Sequence, residues 1–197
     1  MKISVNQITD KQVLDLGKAL LDYEYIQNHC GNPFDKDFQD VYYSFYLKAR
    51  WAQLGGKGGS KSGAYFNVLN SINGTELLED VLEELIVAGV SDTYEFSIGS
   101  KLLHTKNPNS PIFDSKVYSY LTKDEGLQLQ YRKALKNGQT KLQLIQHDWK
   151  IINDWYDNLI KNDPRGKQWV AWFDNKFPQY RGISDVKKID FLIFIFN

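Results

Sequence analysis

Helical spacing of apolar residues, interrupted by glycine and proline, constrains the fold of this chain most strongly. After Thr9, a suitable N-cap, apolar residues follow at helical spacing at Val13, Leu14, Leu16, Leu20 and Leu21. The breaks at Asn32-Pro33, Asn107-Pro108 and Asp163-Pro164 bound further segments of this kind. Strand-like alternation is scarce. The sequence therefore predicts an all-α fold, a compact bundle of about nine or ten helices.

The expected helices after the first cover approximately residues 37–54, 64–72, 75–89, 97–106, 114–121, 124–136, 139–161, 166–176 and 184–195. The glycine-rich segment GGKGGSKSG, residues 55–63, is unsuited to the interior of a helix or strand. A length of 197 residues fits a single domain, residues 1–197. The alternative arrangement has two lobes, about 1–90 and 91–197, with a cleft between them.

Cysteine and histidine usage excludes several classes of protein. Cys30 is the single cysteine, which excludes an intrachain disulfide and a cysteine-based zinc cluster. The three histidines are widely spaced, so we predict no metal site and no cofactor. No apolar run approaches the ~20 residues of a membrane span, and the N-terminus has no apolar signal-peptide core. We expect a soluble, cytoplasmic and monomeric protein without a membrane partner.

The distribution of charge is more informative than its total. Lysine and arginine number 24, and aspartate and glutamate also number 24, which argues against a strongly basic nucleic-acid binder. Residues 41–75 nevertheless contain four basic side chains and no acidic one, and residues 96–113 are also free of acids. Residues 76–95 between them carry seven acids and no base. The base-only segments predict a positive face if the fold joins them, or ordinary solvated faces if it does not.

Residues 94–121 contain the side chains most suited to chemistry. A turn predicted at Ser97-Ile98-Gly99 precedes a helix with Lys101 in its first turn. Such a turn presents backbone N–H groups that can hold a phosphate. Asp114 begins the next helix, directly after Pro111-Ile112-Phe113. A hairpin, a lysine and a carboxylate therefore follow one another within one short segment.

These motifs resemble the core of the helix-hairpin-helix DNA glycosylases. Ser97-Ile98-Gly99-Ser100-Lys101 resembles the family's hairpin with its lysine, and Pro111-Ile112-Phe113-Asp114-Ser115-Lys116-Val117 resembles its Pro-Val-Asp motif. The resemblance implies a helix-hairpin-helix element within the all-α fold. It also implies that Asp114 is the essential catalytic carboxylate and that Lys101 acts as a covalent nucleophile in members that use a lysine.

The resemblance further implies a DNA glycosylase that flips a base out of double-stranded DNA, hydrolyses its N-glycosidic bond and leaves an abasic site. Small glycosylases of this kind that attack sugar-modified cytosines in phage DNA suggest a role in antiviral defence. We accordingly expect a modified base, of the glucosylated-cytosine type, as the substrate.

Further residues are candidates for contacts with DNA and with the flipped base. Lysines and backbone N–H groups bind phosphates, aromatic rings stack on bases, and amides bond base edges. The expected DNA-binding residues are Lys57, Ser60, Lys61, Gly99, Ser100 and Lys106. The expected substrate-binding residues are Trp51, Tyr65, Phe66, Asn67, Asn70 and His104.

Each candidate also has a purely structural interpretation. Asp114 can be only a helix N-cap, Lys101 can be a solvated helix lysine, and the glycine-rich segment can be a flexible connector. The aromatic residues can be core, and His104 can be an ordinary polar helix residue. Two other functions therefore stay open: a non-catalytic nucleic-acid-binding module, and a helical module for protein interaction in a phage or its host.

Overall fold

The computed structural model describes residues 3–48, 54, 59–136 and 138–196. This part of the chain contains nine α-helices and no strand, so the prediction of an all-α fold is confirmed. The helices are α1 (Asp10–His29), α2 (Lys36–Tyr42), α3 (Ser60–Ser71), α4 (Leu78–Val87), α5 (Phe96–Lys106), α6 (Ser115–Lys123), α7 (Lys141–Lys161), α8 (Pro164–Lys176) and α9 (Asp185–Phe196). No described helix has the length and apolar character required to traverse a lipid bilayer.

Most helices lie close to their expected bounds, and three regions differ. The glycine-rich segment 55–63 was expected to be unsuited to a helix, but α3 begins within it at Ser60 and includes Gly63. The helix expected over residues 37–54 leaves α geometry after Tyr42 and continues as a π-helical turn at Tyr43–Leu47. The prediction of a helix over residues 124–136 is wrong. The chain there forms turns and bends, with Gly126 at a φ of 74°. Apolar spacing alone does not fix a helix where backbone groups find other partners.

The chain divides into two compact units. Unit 1 contains Met1–Gly17 and Pro108–Asn197, and unit 2 contains Lys18–Asn107. These bounds differ from the expected lobes: the N-terminal residues group with the C-terminal part, and residues 91–107 group with the part before them. The cleft expected between the lobes stays a prediction.

The core of unit 2 contains a cluster of aromatic side chains, each at most 1% exposed: Phe38, Tyr42, Tyr43, Tyr65 and Phe66. The ring of Phe66 meets four of them edge-on or tilted, a geometry that aromatic pairs prefer. Helix α4 packs between α3 and α5. A Cβ on Gly99 of α5 would lie 2.7 Å from Cδ2 of Leu82 in α4, so glycine permits the close approach of these two helices.

Unit 1 contains α6–α9, with α8 packed on α7 and α9, and with α6 and α7 also packed against α9. Proline is favoured in the first turn of a helix, and α8 begins at Pro164 while Asp163 caps it by accepting a hydrogen bond from the Arg165 backbone N–H. Gly166 follows in α8, and a Cβ there would collide with the Leu159 carbonyl. The absence of a side chain thus lets α8 fold back directly on the end of α7.

Candidate functional site

Asp114 occupies the N-cap position of α6, in extended backbone geometry. Its Oδ1 oxygen accepts hydrogen bonds from the backbone N–H groups of Lys116 at 2.8 Å and Val117 at 2.9 Å. Within the described residues, its Oδ2 oxygen accepts no hydrogen bond, and the side chain is half-buried. The expected position at a helix start is confirmed. One oxygen fixes the carboxylate, and the other remains available to a ligand or a water molecule.

Aromatic rings line the chain next to Asp114. Phe113 is 2% exposed, and its ring meets the ring of Tyr118 at 6.0 Å and that of Tyr131 at 5.4 Å, both edge-on. Lys116 follows Asp114 by two residues, and its Nζ donates to the Phe194 carbonyl at 2.8 Å. Burial lowers the pKa of Lys116, and the charge of Asp114 opposes that shift. A buried aromatic residue therefore directly precedes Asp114, and the charge of Asp114 acts on the ammonium group of Lys116.

A buried hydroxyl lies within the electrostatic reach of the same carboxylate. Tyr156 of α7 is 1% exposed, and its hydroxyl has no hydrogen-bond partner among the described residues. Burial raises the pKa of Tyr156 well above its ordinary value, and the charges of Asp190 and Asp114 raise it further. Asp190 of α9 pairs with the Nζ of Lys187 at 2.8 Å. No motif in the sequence singled out Tyr156, because only the packing of α7 brings it to this position.

Lys101 is buried, whereas its structural interpretation expected a solvated helix lysine. It lies in the interior of α5, 8% exposed, and its Nζ donates to the Tyr46 carbonyl at 2.9 Å. That carbonyl belongs to the π-helical turn, so the ammonium group ties α5 to the segment after α2. Lys101 belongs to unit 2 and Asp114 to unit 1. This placement favours a structural role, and the nucleophilic role stays a prediction.

The prediction of a turn at Ser97-Ile98-Gly99 is wrong. These residues form the first turn of α5, which begins at Phe96. The N–H groups of Ile98 and Gly99 both donate to the Glu95 carbonyl at 3.0 Å, as helical geometry requires. Gly99 and Ser100 are buried, so neither offers a surface to a phosphate as the hairpin interpretation expected. The resemblance to the hairpin motif is therefore local in sequence and is not reproduced as a hairpin turn.

Three of the expected substrate contacts lie in the core of unit 2. Tyr65, Phe66 and His104 are each 0% exposed. The Tyr65 hydroxyl is 2.9 Å from that of Tyr42, which is also 3.1 Å from the hydroxyl of Thr105. Burial raises the pKa of Tyr42 to about 12. Because these side chains are buried, they form no open surface on which a base could stack. They are part of the core of unit 2 instead.

The remaining candidates are polar groups at or near the surface. Ser60, Asn67 and Asn70 are exposed on α3, and Lys61 is half-buried. Lys106 is half-buried, with its Nζ 3.4 Å from the Cys30 carbonyl. Their expected contacts with DNA or substrate stay predictions. Trp51 and Lys57 lie outside the described residues.

Comparison with models of known protein families, with curated proteins and with solved structures finds no match for this chain.

Proposed function

We propose that this protein is a DNA N-glycosylase in which Asp114 is the catalytic carboxylate. One observation carries the proposal: Oδ1 of Asp114 is held by two backbone N–H groups, while Oδ2 receives no hydrogen bond from the described residues. A catalytic carboxylate needs both a fixed orientation and an oxygen free to meet the reacting atoms. The sequence resemblance around residues 111–117 supports the same assignment.

The chemistry needs one carboxylate and one water molecule. As the bond between C1′ of the sugar and the base nitrogen breaks, the electron pair leaves with the base and positive charge develops on the sugar ring. A fixed carboxylate stabilises that charge where little water screens it. Water then adds to C1′ as one of its protons passes to Asp114. The departing base takes up a proton from solvent, and Asp114 releases its proton to solvent, which regenerates the carboxylate. The products are a free base and an abasic site.

This mechanism assigns no covalent step to Lys101. The Lys101 ammonium is buried and already donates to a backbone carbonyl, whereas a nucleophilic amine must be deprotonated and reach C1′. The water-based route therefore fits these residues better than a Schiff base. The modified cytosine and the role in antiviral defence remain part of the proposal and are supported by the resemblance alone.

The test is release of a base from a panel of DNA duplexes that carry modified or unmodified bases. Heating in alkali cleaves the strand wherever a base has been lost, and gel electrophoresis measures the product. We expect Asp114→Asn to reduce the rate by about 10²–10⁴-fold, since it removes the charge and the proton acceptor. Asparagine caps helices as well as aspartate does, so we expect the free energy of unfolding to change by less than about 0.5 kcal/mol.

Asp35→Asn is the matched control. Asp35 caps α2 by accepting a hydrogen bond from the Phe38 N–H at 2.8 Å, and the substitution likewise exchanges a capping carboxylate for an amide. We expect this variant to release base at the wild-type rate. Undiminished base release by Asp114→Asn would refute the proposed role. DNA binding without base release from any duplex would instead favour the non-catalytic nucleic-acid-binding module.

A further inference from the structure

A third segment without acids lies in unit 1, between Glu125 and Asp148. Residues 126–147 contain no aspartate or glutamate. We call the described residues 126–136 and 138–140, which connect α6 to α7, the basic loop. Its cations Arg132, Lys133 and Lys136 are all exposed, and no carboxylate of the described residues pairs with them. The neutral total charge of the chain thus conceals a local positive surface.

A buried carboxylate anchors the basic loop to α7. Asp148 is 0% exposed, and its two oxygens accept hydrogen bonds from the Gln130 N–H at 2.8 and 2.9 Å. Oδ2 also accepts a hydrogen bond from the Tyr131 N–H at 2.7 Å. Charge-assisted bonds of this kind are among the strong ones in proteins. They fix the backbone immediately before Arg132.

Contacts of two further side chains, Lys141 and Tyr118, hold the same part of the loop. The Nζ of Lys141 donates to the Tyr131 carbonyl and lies 3.7 Å from the centroid of the Tyr131 ring. The guanidinium of Arg132 lies 4.2 Å from the centroid of the Tyr118 ring. Cation–π contacts of this kind favour a defined position for each cation. These contacts hold Tyr131 and Arg132 in place, directly before the exposed Lys133.

The basic loop is linked to the surroundings of Asp114. Tyr118 and Tyr131, which carry the cations Arg132 and Lys141 on their rings, both pack edge-on against Phe113. Phe113 directly precedes Asp114. One aromatic cluster thus supports both the proposed catalytic carboxylate and the exposed positive charges, within unit 1 alone.

We propose that the basic loop binds the phosphate backbone of duplex DNA through Arg132, Lys133 and Lys136. The inference rests on the proposed function for its choice of partner. Arginine presents a planar fork of N–H donors that matches a phosphate, and lysine adds a point charge. Three cations spread along an exposed loop suit a row of phosphates better than a single anionic group. Phosphate contacts are independent of sequence, so the surface serves whichever base is excised.

The test measures binding of an unmodified, fluorescently labelled duplex by anisotropy over a series of KCl concentrations. The variant Arg132→Gln/Lys133→Gln/Lys136→Gln removes the three charges. The logarithm of the binding constant falls linearly with the logarithm of salt, by about 0.9 for each phosphate contact. We expect the variant to bind at least about tenfold more weakly at low salt, and the magnitude of its slope to fall by about 2–3.

The matched control is Lys150→Gln/Lys161→Gln/Lys167→Gln. It removes the same number of positive charges from exposed positions on α7 and α8 of the same unit. We expect its slope to equal that of the wild type. A wild-type slope in the loop variant, or the same loss of slope in both variants, overturns the proposal. Loop-dependent binding to phosphatidylserine vesicles without binding to duplex also overturns it.

The base-release assay separates this proposal from the proposed function. If the loop variant loses salt-dependent binding while no duplex in the panel loses a base, the binding surface stands and the glycosylase assignment fails. If Asp114→Asn loses base release while the loop variant binds and releases base like the wild type, the glycosylase assignment stands and the surface is refuted.

Discussion

Arg165 forms a bidentate ion pair with the carboxylate of Glu125, with Nη1 2.7 Å from Oε1 and Nη2 3.2 Å from Oε2. The same carboxylate accepts hydrogen bonds from the Tyr120 hydroxyl at 2.7 Å and from the Trp155 ring N–H at 3.4 Å. Arg165 also pairs with Asp163, the N-cap of α8. Glu125 thus joins the segment after α6 to the first turn of α8, and its ionised form should stabilise unit 1.

That stabilisation depends on pH. Burial opposes the ionisation of Glu125, but hydrogen bonds from Arg165 and Tyr120 outweigh burial and hold the pKa of Glu125 below its ordinary value of 4.5. Ionised Glu125 therefore stabilises the fold above that value, and the contribution is lost as pH falls through the folded-state pKa. We expect Glu125→Gln to lower the free energy of unfolding by about 1–3 kcal/mol at neutral pH.

Urea unfolding of the wild type and Glu125→Gln at several pH values measures both effects. The difference between them should begin to shrink below pH 4.5, where Glu125 of the unfolded chain takes up a proton, and it should be smallest below the lowered pKa of Glu125 in the folded protein. Glu83→Gln is the control, because Glu83 is exposed on α4. A loss of stability in Glu125→Gln that stays constant down to low pH would contradict this account.

Gly99 provides a test of the contact between α4 and α5. Alanine would place a Cβ 2.7 Å from the buried side chain of Leu82, which must then move. Although alanine favours helix more than glycine does, we expect Gly99→Ala to destabilise the protein by about 1–3 kcal/mol. Thermal and urea unfolding measure the change.

Gly63→Ala is the matched comparison, since Gly63 lies within α3 with nothing within 4 Å of an added Cβ. We expect that variant to be more stable than the wild type by about 0.5–1 kcal/mol. Stabilisation by both alanines would show that α4 and α5 are less closely packed than the structure indicates.

The sequence predicted the helices well where local signals coincide with their ends. Asn107-Pro108 ends α5, Asp114 caps α6 as its position indicates, and α8 begins at the expected break Asp163-Pro164. It failed for residues 124–136, where apolar side chains suggest a helix. There the backbone N–H groups of Gln130 and Tyr131 bond to Asp148, a distant residue that no local pattern reveals.

The residues of the candidate site also differ in how far local sequence signals predict them. Asp114 was predictable because a capping aspartate after proline is a local motif. The burial of Tyr65 and His104 was not, since an aromatic stripe on a helix has the same spacing whether it faces the core or a ligand. The turn at Gly99 failed for a related reason: glycine serves there to admit Leu82 and not to adopt a special backbone conformation.

Tyr156 is expected to reduce stability through its hydroxyl. A buried hydroxyl without a hydrogen bond has lost its water without compensation, so Tyr156→Phe should raise the free energy of unfolding by about 1 kcal/mol. Tyr42→Phe is the converse case, because that hydroxyl bonds to those of Tyr65 and Thr105. We expect Tyr42→Phe to lower the free energy of unfolding by about 1–2 kcal/mol. Destabilisation by both substitutions would mean that the Tyr156 hydroxyl has a partner in solution.

Lys101 is expected to stabilise unit 2 and to form no covalent bond with DNA. Lys101→Met retains the aliphatic stem but removes the buried hydrogen bond from Nζ to the Tyr46 carbonyl, so we expect a loss of about 1–3 kcal/mol in the free energy of unfolding. Incubation with a duplex that loses its base, in the presence of borohydride, would trap a Schiff base as a stable adduct. Because the Lys101 ammonium is occupied by a backbone carbonyl, we expect denaturing electrophoresis to show no adduct for either protein. An adduct with the wild type that Lys101→Met fails to form would identify Lys101 as the nucleophile and replace the water-based mechanism.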